Sequence, residues 1–427
     1  MEELLLQEWF TRVGLSSNIC LYYKGHIWDQ HGYGEKEFLY EEFRWNESLE
    51  EIQRFFKWFN HDADFSLIAF DHYTNEILVY MTPIGTYSLY VNDQNLVSPS
   101  INTLINSNSK LDYQYLWLIR KFGYNQNDLT PYTNIKRLLP WFMYRGNINT
   151  FYFERTQIQL QPRKNVWFML PLYLDESITN RLTSIEDKTI GVLLSWWLDS
   201  SIIASLLVKI NERLSKPKKF RFFTTENAED LKYAKEVAEF LDIKLEIISW
   251  DDVELKDWEL FASNETPIDL GSVVPNIKLF KRISSMWIHT IITWDGPDEL
   301  FRWYKRNAED FDYHMHDINN ELVYYHFPRL QKAARYQGID LVTPYITPNI
   351  RWMAQAFDVK IYKGNLKDMA HWLIPESVIE RIKEPLKNKD LREDKVKYQH
   401  DFLNRFISYA QSLLWEYSQT TKKWSLK

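Results

Sequence analysis

The first 170 residues alternate short apolar runs with turn-forming segments, a pattern typical of antiparallel strands. The runs 65–71 (FSLIAFD) and 77–81 (ILVYM) are separated by HYTNE, and 87–91 (YSLYV) follows them. Helical periodicity, with apolar residues on one face, appears at 49–59 and 113–121. This half of the chain is therefore predicted to be α+β, with much antiparallel sheet.

After about residue 175, apolar runs of strand length alternate with helical patterns. Because strand and helix follow each other at this spacing, a parallel sheet with covered faces is predicted. Ligands of such sheets bind at the carboxyl ends of the strands, where LLSWWLDSS (193–201) and TWDGPDELF (293–301) both lie. The predicted strands are 189–194, 220–224, 243–248 and 286–293, and the predicted helices are 199–214 and 228–241.

Composition narrows the class of protein. The chain has 427 residues, 45% hydrophobic and 26% charged, which is ordinary for a globular protein of two domains. A net charge of −7 argues against a dedicated nucleic-acid binder. No apolar stretch of about 18 residues predicts a membrane span, and the N-terminus does not resemble a secretory signal. Cys20 is the single cysteine, which excludes an internal disulfide and suits a reducing cytoplasm.

The first polar stretch has the residues of an anion site. Ser195, Asp199, Ser200 and Ser201 surround the predicted strand-to-helix turn. Backbone N–H groups at a helix start, together with hydroxyls, bind anions such as phosphate. A carboxylate would repel phosphate, so Asp199 makes sense if it holds Mg²⁺ that is bound to the phosphates.

The second polar stretch adds three carboxylates, Asp295, Asp298 and Glu299. Carboxylates from two neighbouring strand ends could share a metal ion. The residues alone leave an alternative open, in which Asp199 and Asp298 simply cap helices, as Asp often does.

Several motifs in order along the chain resemble the asparagine synthetase family. LLSWWLDSSIIASLL is similar to its pyrophosphate loop, S-G-G-L-D-S-S, and IITWDGPDELFRWYKR is similar to its second signature, S/T-G-[DE]-G-x-D-E-[LI]-F-G-G-Y. IPESVIERIKEPLKN resembles the P-x-x-I-x-x-R-x-K segment. DFSLIAFDHYTNEILVYMTPIGTYSLYV and LVSPSINTLI resemble the N-terminal glutaminase domain. The set covers nearly the whole chain.

The resemblance implies a fold and a reaction. Residues 1–175 would form an α+β Ntn-hydrolase-like domain, and residues 176–427 an α/β parallel-sheet ATP-pyrophosphatase domain of the adenine nucleotide α-hydrolase type. With ATP and Mg²⁺, the family adenylates a carboxylate, releases pyrophosphate and lets an amine displace AMP. The implied nucleotide contacts are Leu193, Ser195, Asp199, Ser200, Ser201, Thr224, Thr293 and Asp295; the implied metal ligands are Asp199 and Asp298; and the implied catalytic residues are Glu299, which acts on the amine, and Lys383, which stabilises negative charge.

The glutaminase half departs from the family pattern. That domain needs a cysteine at the mature N-terminus, whose free amine acts as its base. This chain begins with Met1, and Cys20 lies inside a predicted strand, where we expect a buried structural thiol. Glutamine hydrolysis is therefore not expected, and free ammonia or an amine of the substrate would be the nucleophile. Relatives that lack the cysteine, the β-lactam synthetases and lasso-peptide macrolactam synthetases, close rings on their own substrates.

The nucleotide loops depart more sharply, because large residues stand where the family has glycine. The chain has 18 Trp and only 12 Gly. Glycine permits positive φ and close approach of the backbone to phosphate, whereas a bulky residue at positive φ is costly. The ATP site is thus expected to be impaired, unless the indoles stack on adenine or the motifs are misaligned. The substitutions are Trp196, Trp197, Trp294, Arg302 and Trp303, with Trp141 and Trp287 as further cases.

Two hypotheses follow. The chain is an amide-forming ligase with a dead glutaminase domain, or a catalytically silent homologue kept as a binding or scaffolding protein. Within the first, the substrate is a small-molecule or peptide carboxylate: aspartate with ammonia, or a substrate that is closed into a lactam ring. Neither nucleic acid nor membrane is expected as a partner, and a homodimer is a further expectation.

Overall fold

The N-terminal part of the chain is built on two antiparallel sheets. A six-stranded sheet has the order β1-β2-β3-β4-β8-β9, and a three-stranded sheet has the order β6-β5-β7. The predicted antiparallel α+β half is therefore confirmed. The strands are β1 (Thr11–Gly14), β2 (Ile19–Ile27), β3 (Ala63–Asp71), β4 (Glu76–Met81), β5 (Tyr90–Asn92), β6 (Val97–Ser98), β7 (Ile135–Arg137), β8 (Phe142–Asn147) and β9 (Tyr152–Gln157). This computed structural model describes residues 10–15, 18–28, 35–44, 48–57, 63–82, 87–122, 127–140, 142–147, 152–157, 167–195, 197–226, 231–249, 252–263, 270–305, 309–355, 360–380 and 391–425.

Two helices cover one face of the six-stranded sheet. Helix α1 (Glu35–Phe43) contributes Leu39 and helix α2 (Leu49–Lys57) contributes Phe56, and both pack with Leu67 of β3 in one apolar cluster. The spacing of Leu49, Ile52 and Phe56 puts three buried residues on one side of α2. Helix α3 (Tyr113–Phe122) matches the second predicted helix.

Cys20 lies in β2, as predicted, and is 4% exposed. Its Sγ accepts a hydrogen bond from Nη2 of Arg12 at 3.2 Å. The thiol is therefore buried in the sheet, which confirms the expected burial.

Five parallel strands form the sheet of the C-terminal part, in the order β12-β11-β10-β13-β14. The predicted parallel α/β sheet is confirmed. The order reverses between β10 and β13, so the chain winds outward in both directions from that pair. Such a switch point opens a crevice at the carboxyl ends of the two strands, which is where ligands bind. The strands are β10 (Thr189–Leu193), β11 (Lys219–Thr225), β12 (Leu245–Ile248), β13 (Thr290–Ile292) and β14 (Asp340–Val342).

Helices surround this sheet on both faces. Helix α5 begins directly after the loop that follows β10, and a π-helix (Asp317–His326) runs into helix α11. The helices are α4 (Leu170–Ser184), α5 (Leu198–Asn211), α6 (Leu231–Phe240), α7 (Asp257–Ser263), α8 (Leu270–Ser284), α9 (Pro297–Leu300), α10 (Phe311–His316), α11 (Phe327–Tyr336), α12 (Pro348–Ala354), α13 (Gly364–Ala370), α14 (Glu376–Ile379) and α15 (Leu391–Ser425).

One predicted strand is much shorter than expected. The apolar run 286–293 yields only Thr290–Ile292, because residues 285–287 form a turn in which Trp287 has φ +62°. In the pattern of apolar and polar residues along the sequence, an apolar residue in an exposed turn cannot be distinguished from one in a buried strand. Trp287 is 84% exposed, so its hydrophobicity does not report burial here.

The two parts of the chain share apolar packing. Tyr90 and Ile135 of the three-stranded sheet belong to the same cluster as Phe280 of α8 and Phe406 of α15. Helix α4 spans the expected boundary between residues 175 and 176 and packs into the core of the parallel sheet. The boundary itself stays a prediction.

Candidate functional site

The loop between β10 and α5 is closed by its own hydrogen bonds. Ser200 Oγ donates to the carbonyl oxygens of Ser195 and Trp197, at 2.8 and 2.9 Å. Ser201 Oγ donates to Trp197 O at 2.9 Å, and the Trp197 N–H donates to Ser195 Oγ at 3.3 Å. Ser200 and Ser201 are fully buried. The hydroxyls of Ser200 and Ser201 and the Trp197 N–H are therefore already engaged within the loop.

Gly296 sets the path of the second stretch. Its φ is +108°, and a Cβ there would lie 2.5 Å from Ile346 Cδ1. From this glycine the chain enters α9, and Leu300 N donates to Gly296 O at 2.9 Å. The short helix thus directs Asp298 and Glu299 to different surroundings.

Asp199 and Asp298 converge on one lysine. Nζ of Lys363 lies 2.5 Å from Asp298 Oδ1 and also forms a close ion pair with Asp199 Oδ2. The side chains of Lys363 and Asp199 are 3% and 5% exposed. Burial by itself lowers the pKa of Lys363, but attraction to the two carboxylates and hydrogen bonds with them raise it above the ordinary lysine value. The lysine is therefore charged. Both carboxylates that the sequence places at neighbouring strand ends contact it, while their role as metal ligands stays a prediction.

These carboxylates do not fit a divalent metal in this arrangement. Mg²⁺ needs a near-octahedral set of oxygen ligands at about 2.0–2.1 Å. The space between Asp199 and Asp298 holds the Lys363 ammonium instead. Among the described residues, no group of three or more His, Cys, Asp or Glu side chains is arranged to hold a metal ion.

Glu299 faces away from that cluster, toward the π-helix. Its Oε1 lies 3.1 Å from Nε2 of His326 and accepts a hydrogen bond from the Tyr304 hydroxyl at 3.2 Å. Burial, supported by the charge of Asp298, raises the pKa of Glu299 above its usual range, although His326 opposes the shift. Glu299 is 3% exposed, so a proton on this carboxyl is held in a water-poor pocket.

Asp295 is a second carboxyl whose pKa is raised by burial. The charges of Arg329 and His326 act in the opposite direction and favour its ionised form. His326 therefore acts electrostatically on both buried carboxyls, Asp295 and Glu299.

The glycine positions are occupied in different ways. Trp197 has φ −92° and ψ +152°, an ordinary extended conformation, so the expectation of backbone strain at this residue is wrong. Arg302 and Trp287 have φ +52° and +62°, the left-handed region that glycine would favour. Trp303 packs beside the lysine cluster, with Lys363 Nζ 5.4 Å from the centre of its ring. The Trp303 indole therefore lies beside the lysine that contacts the two carboxylates.

The remaining predicted contacts lie around the switch point. Leu193 ends β10, Thr224 is buried near the end of β11, and the N–H of buried Thr293 donates to Val342 O at 2.9 Å. Their roles as nucleotide contacts stay predictions. Lys383, Trp196 and Trp141 lie outside the described residues.

Sequence reasoning missed Lys363 and His326. Lys363 lies within an irregular segment, KIYKGN (360–365), whose only local signal is the glycine that follows the lysine. His326 lies in YYHFPRL, where the proline predicts a helix start but nothing indicates a carboxylate partner. Both residues reach the site only through long-range packing.

Comparison with known proteins agrees with this architecture. Residues 171–345, which include the switch point, match the family model for asparagine synthase. The chain is 24% identical over 220 residues to an asparagine synthetase (glutamine-hydrolyzing) of Asparagus officinalis, a match that covers 47% of this chain and 36% of that protein. It is 23% identical over 226 residues to asparagine synthetase (glutamine-hydrolyzing) 2 of Oryza sativa subsp. japonica, covering 48% and 38%. The chain thus spans less than half the length of these curated relatives.

A solved structure, NMN synthetase from Francisella tularensis, is 14% identical, with coverage of 61% of this chain and 96% of that chain. Its TM-score is 0.30. No helix within the described residues is long and apolar enough to cross a membrane.

Proposed function

We propose that this chain is an ATP-dependent ligase of the asparagine synthase family that forms an amide bond, because residues 171–345 match the model of that family. The observation that supports the proposal best is the meeting of Asp199 and Asp298 at the switch point of a parallel sheet. Two loops that are far apart in sequence bring acidic groups to the crevice where such sheets bind nucleotides.

In the proposed reaction, ATP is bound at the start of α5. Helix N-termini favour anions because their first N–H groups lack helical partners and carry partial positive charge. Ser195, Ser200 and Ser201 would exchange their bonds within the loop for bonds to phosphate oxygens. The substrate carboxylate then attacks the α-phosphorus, the bond to the β-phosphate bridging oxygen breaks, and pyrophosphate leaves.

Glu299 is proposed to act in the second step. The amine attacks the carbonyl carbon of the acyl-adenylate, the bond from that carbon to the AMP oxygen breaks, and nitrogen loses a proton. A buried carboxylate with a raised pKa accepts that proton more readily than an exposed one. Tyr304 and His326 hold Oε1 of Glu299 in position for the transfer. Mg²⁺ stays a prediction of the family resemblance, and no step is assigned to it.

The N-terminal part is proposed to be a degenerate Ntn-type domain without glutaminase activity. Its antiparallel sheets with helices on one face support that assignment, and the burial of Cys20 supports the loss of hydrolysis. Free ammonia or an amine on the substrate would replace glutamine.

The test is to incubate the purified chain with ATP, aspartate and ammonia and to measure AMP, pyrophosphate and asparagine. Asparagine formed from ammonia but not from glutamine supports the proposal and excludes ring closure as the main activity. Glu299→Gln is expected to keep pyrophosphate exchange and to lose amide formation, whereas Glu309→Gln, which changes an exposed side chain, should keep both. Loss of both activities in Glu299→Gln but not in the control would refute the assigned role.

The closed loop supports a second candidate, a silent homologue that binds without catalysis. Calorimetry with Mg-ATP separates the two. If only a variant with Trp196, Trp197, Trp294 and Trp303 returned to Gly binds nucleotide, the natural loop is blocked. Equal binding by both proteins shows that the tryptophans have been accommodated, and the ligase is then favoured.

A further inference from the structure

We propose that Lys363 is a built-in cation of this site, whose ammonium takes the position between Asp199 and Asp298 that a divalent metal would otherwise hold. The inference rests on the proposed function only for the expectation that a metal belongs there. It concerns the protein without nucleotide, and its test needs no catalytic activity.

The first support is that three segments far apart in sequence bring charged side chains together. Asp199 follows β10, Asp298 follows β13, and Lys363 comes from a third segment, yet all three side chains meet at one point, where Lys363 and Asp199 are buried and Asp298 is partly exposed. Carboxylates brought together in a poorly hydrated site repel each other unless a cation separates them. Two carboxylates and one ammonium leave a net charge of −1, so the lysine neutralises half of the acidic charge.

The second support is the backbone that delivers the lysine. Tyr362 and Lys363 have φ +54° and +59°, two consecutive left-handed residues that are not glycine. Their N–H groups donate to the carbonyl oxygens of Arg302 and Phe301, at 2.9 and 3.0 Å. Such a conformation is unfavourable for residues with a Cβ and persists where the surroundings enforce it. The strained turn is tied to the same loop that carries Asp298.

The third support is the ring of Trp303, at a position where the resemblance expects glycine. Lys363 Nζ lies 5.4 Å from its centre, within the range of a cation–π interaction. The backbone N–H of Trp303 donates to the backbone oxygen of Asp298 at 3.0 Å, so the main chain holds these two residues close together. The lysine therefore contacts both the carboxylate and the indole of this short segment.

The experiment measures Mn²⁺ binding without nucleotide, by electron paramagnetic resonance, for the full chain and for Lys363→Met. Lys360→Met is the matched control, because Lys360 lies in the same segment but forms its ion pair at the surface, with Asp368. We expect no Mn²⁺ at the pair in the unchanged protein or in Lys360→Met, and one new bound ion in Lys363→Met. Adding Asp298→Asn to Lys363→Met should abolish that ion.

Thermal unfolding gives a second readout. Lys363→Met should melt at a lower temperature, and millimolar Mg²⁺ should restore much of the loss, whereas the unchanged protein and Lys360→Met should not respond. Mn²⁺ bound by the unchanged protein and removed by Asp298→Asn overturns the inference, even if Lys363→Met fails to fold. A folded Lys363→Met that gains no ion also overturns it. Neither result bears on ligase activity, which is measured separately.

Discussion

Gly296→Ala is expected to be among the most destabilising single-methyl changes in the parallel-sheet part of the chain. Gly296 combines two constraints, since its φ is +108° and a Cβ would lie 2.5 Å from Ile346 Cδ1. A non-glycine residue in such a backbone conformation costs about 1–3 kcal/mol. Overpacking a close-packed site costs about 1–3 kcal/mol more. The free energy of unfolding should therefore fall by about 2–6 kcal/mol.

Two other glycines separate the contributions. Gly338 has φ +70° with nothing within 4 Å of an added Cβ, so Gly338→Ala tests the backbone alone. Gly191 has no positive φ, but its Cβ would lie 3.0 Å from Ile288 Cγ2, so Gly191→Ala tests the space alone. Each control should lose about 1 kcal/mol, well below the loss at Gly296.

Urea unfolding, followed by tryptophan fluorescence and circular dichroism, measures the differences. Ile346→Val removes the methyl that an added Cβ would strike, so it should recover the packing part of the Gly296→Ala loss and leave the backbone part. That recovery appears as a coupling energy in a double-mutant cycle. If Gly296→Ala costs no more than Gly338→Ala, or if Ile346→Val recovers nothing, the steric argument is refuted.

Three further changes test other parts of the structure. Trp287→Gly should stabilise the protein by about 1 kcal/mol, because Trp287 has a left-handed backbone conformation and its side chain is 84% exposed. Trp372 is equally exposed but has no positive φ, so Trp372→Gly should give no gain in the same urea assay. Burial lowers the pKa of His314 to about 4 from 6.5, so its contribution to stability is present above about pH 6.5 and decreases by about 3 kcal/mol as pH falls toward 4. His314→Gln should therefore shift the acid-unfolding midpoint to lower pH, and an unchanged midpoint would contradict this. Arg181 is buried, donates to the carbonyl of Ile346 at 3.2 Å and lies 4.9 Å from the centre of the Trp28 ring. Arg181→Met should therefore lower the free energy of unfolding in urea by about 2–4 kcal/mol. A loss below about 1 kcal/mol would show that these contacts contribute little.

The sequence by itself determined the parallel α/β sheet of the C-terminal part and the two polar stretches at its strand ends. The alternation of apolar strands with amphipathic helices after residue 175 is a local pattern, and local patterns survive into the structure because each strand must bury its apolar residues. Both polar stretches therefore lie at strand ends, and Asp199 and Asp298 meet as predicted. The prediction of 286–293 as one strand was wrong in length because an apolar residue in an exposed turn has the same one-dimensional signal as a buried one.

Only the tertiary structure decided what lies between and beside the carboxylates. Lys363 is 164 residues from Asp199 in the chain, and no spacing rule connects an irregular turn to a distant strand end. His326 reaches Glu299 through a π-helix, whose wider turn is not specified by any periodicity in the sequence. The tertiary structure also decided the backbone conformation of the residues that replace the family's glycines, since Trp197 is extended and Arg302 is left-handed. Composition and pattern determine which residues are available and which elements carry them. The partner of each charge depends on long-range packing, because a buried ion must find its counter-ion in space rather than along the chain.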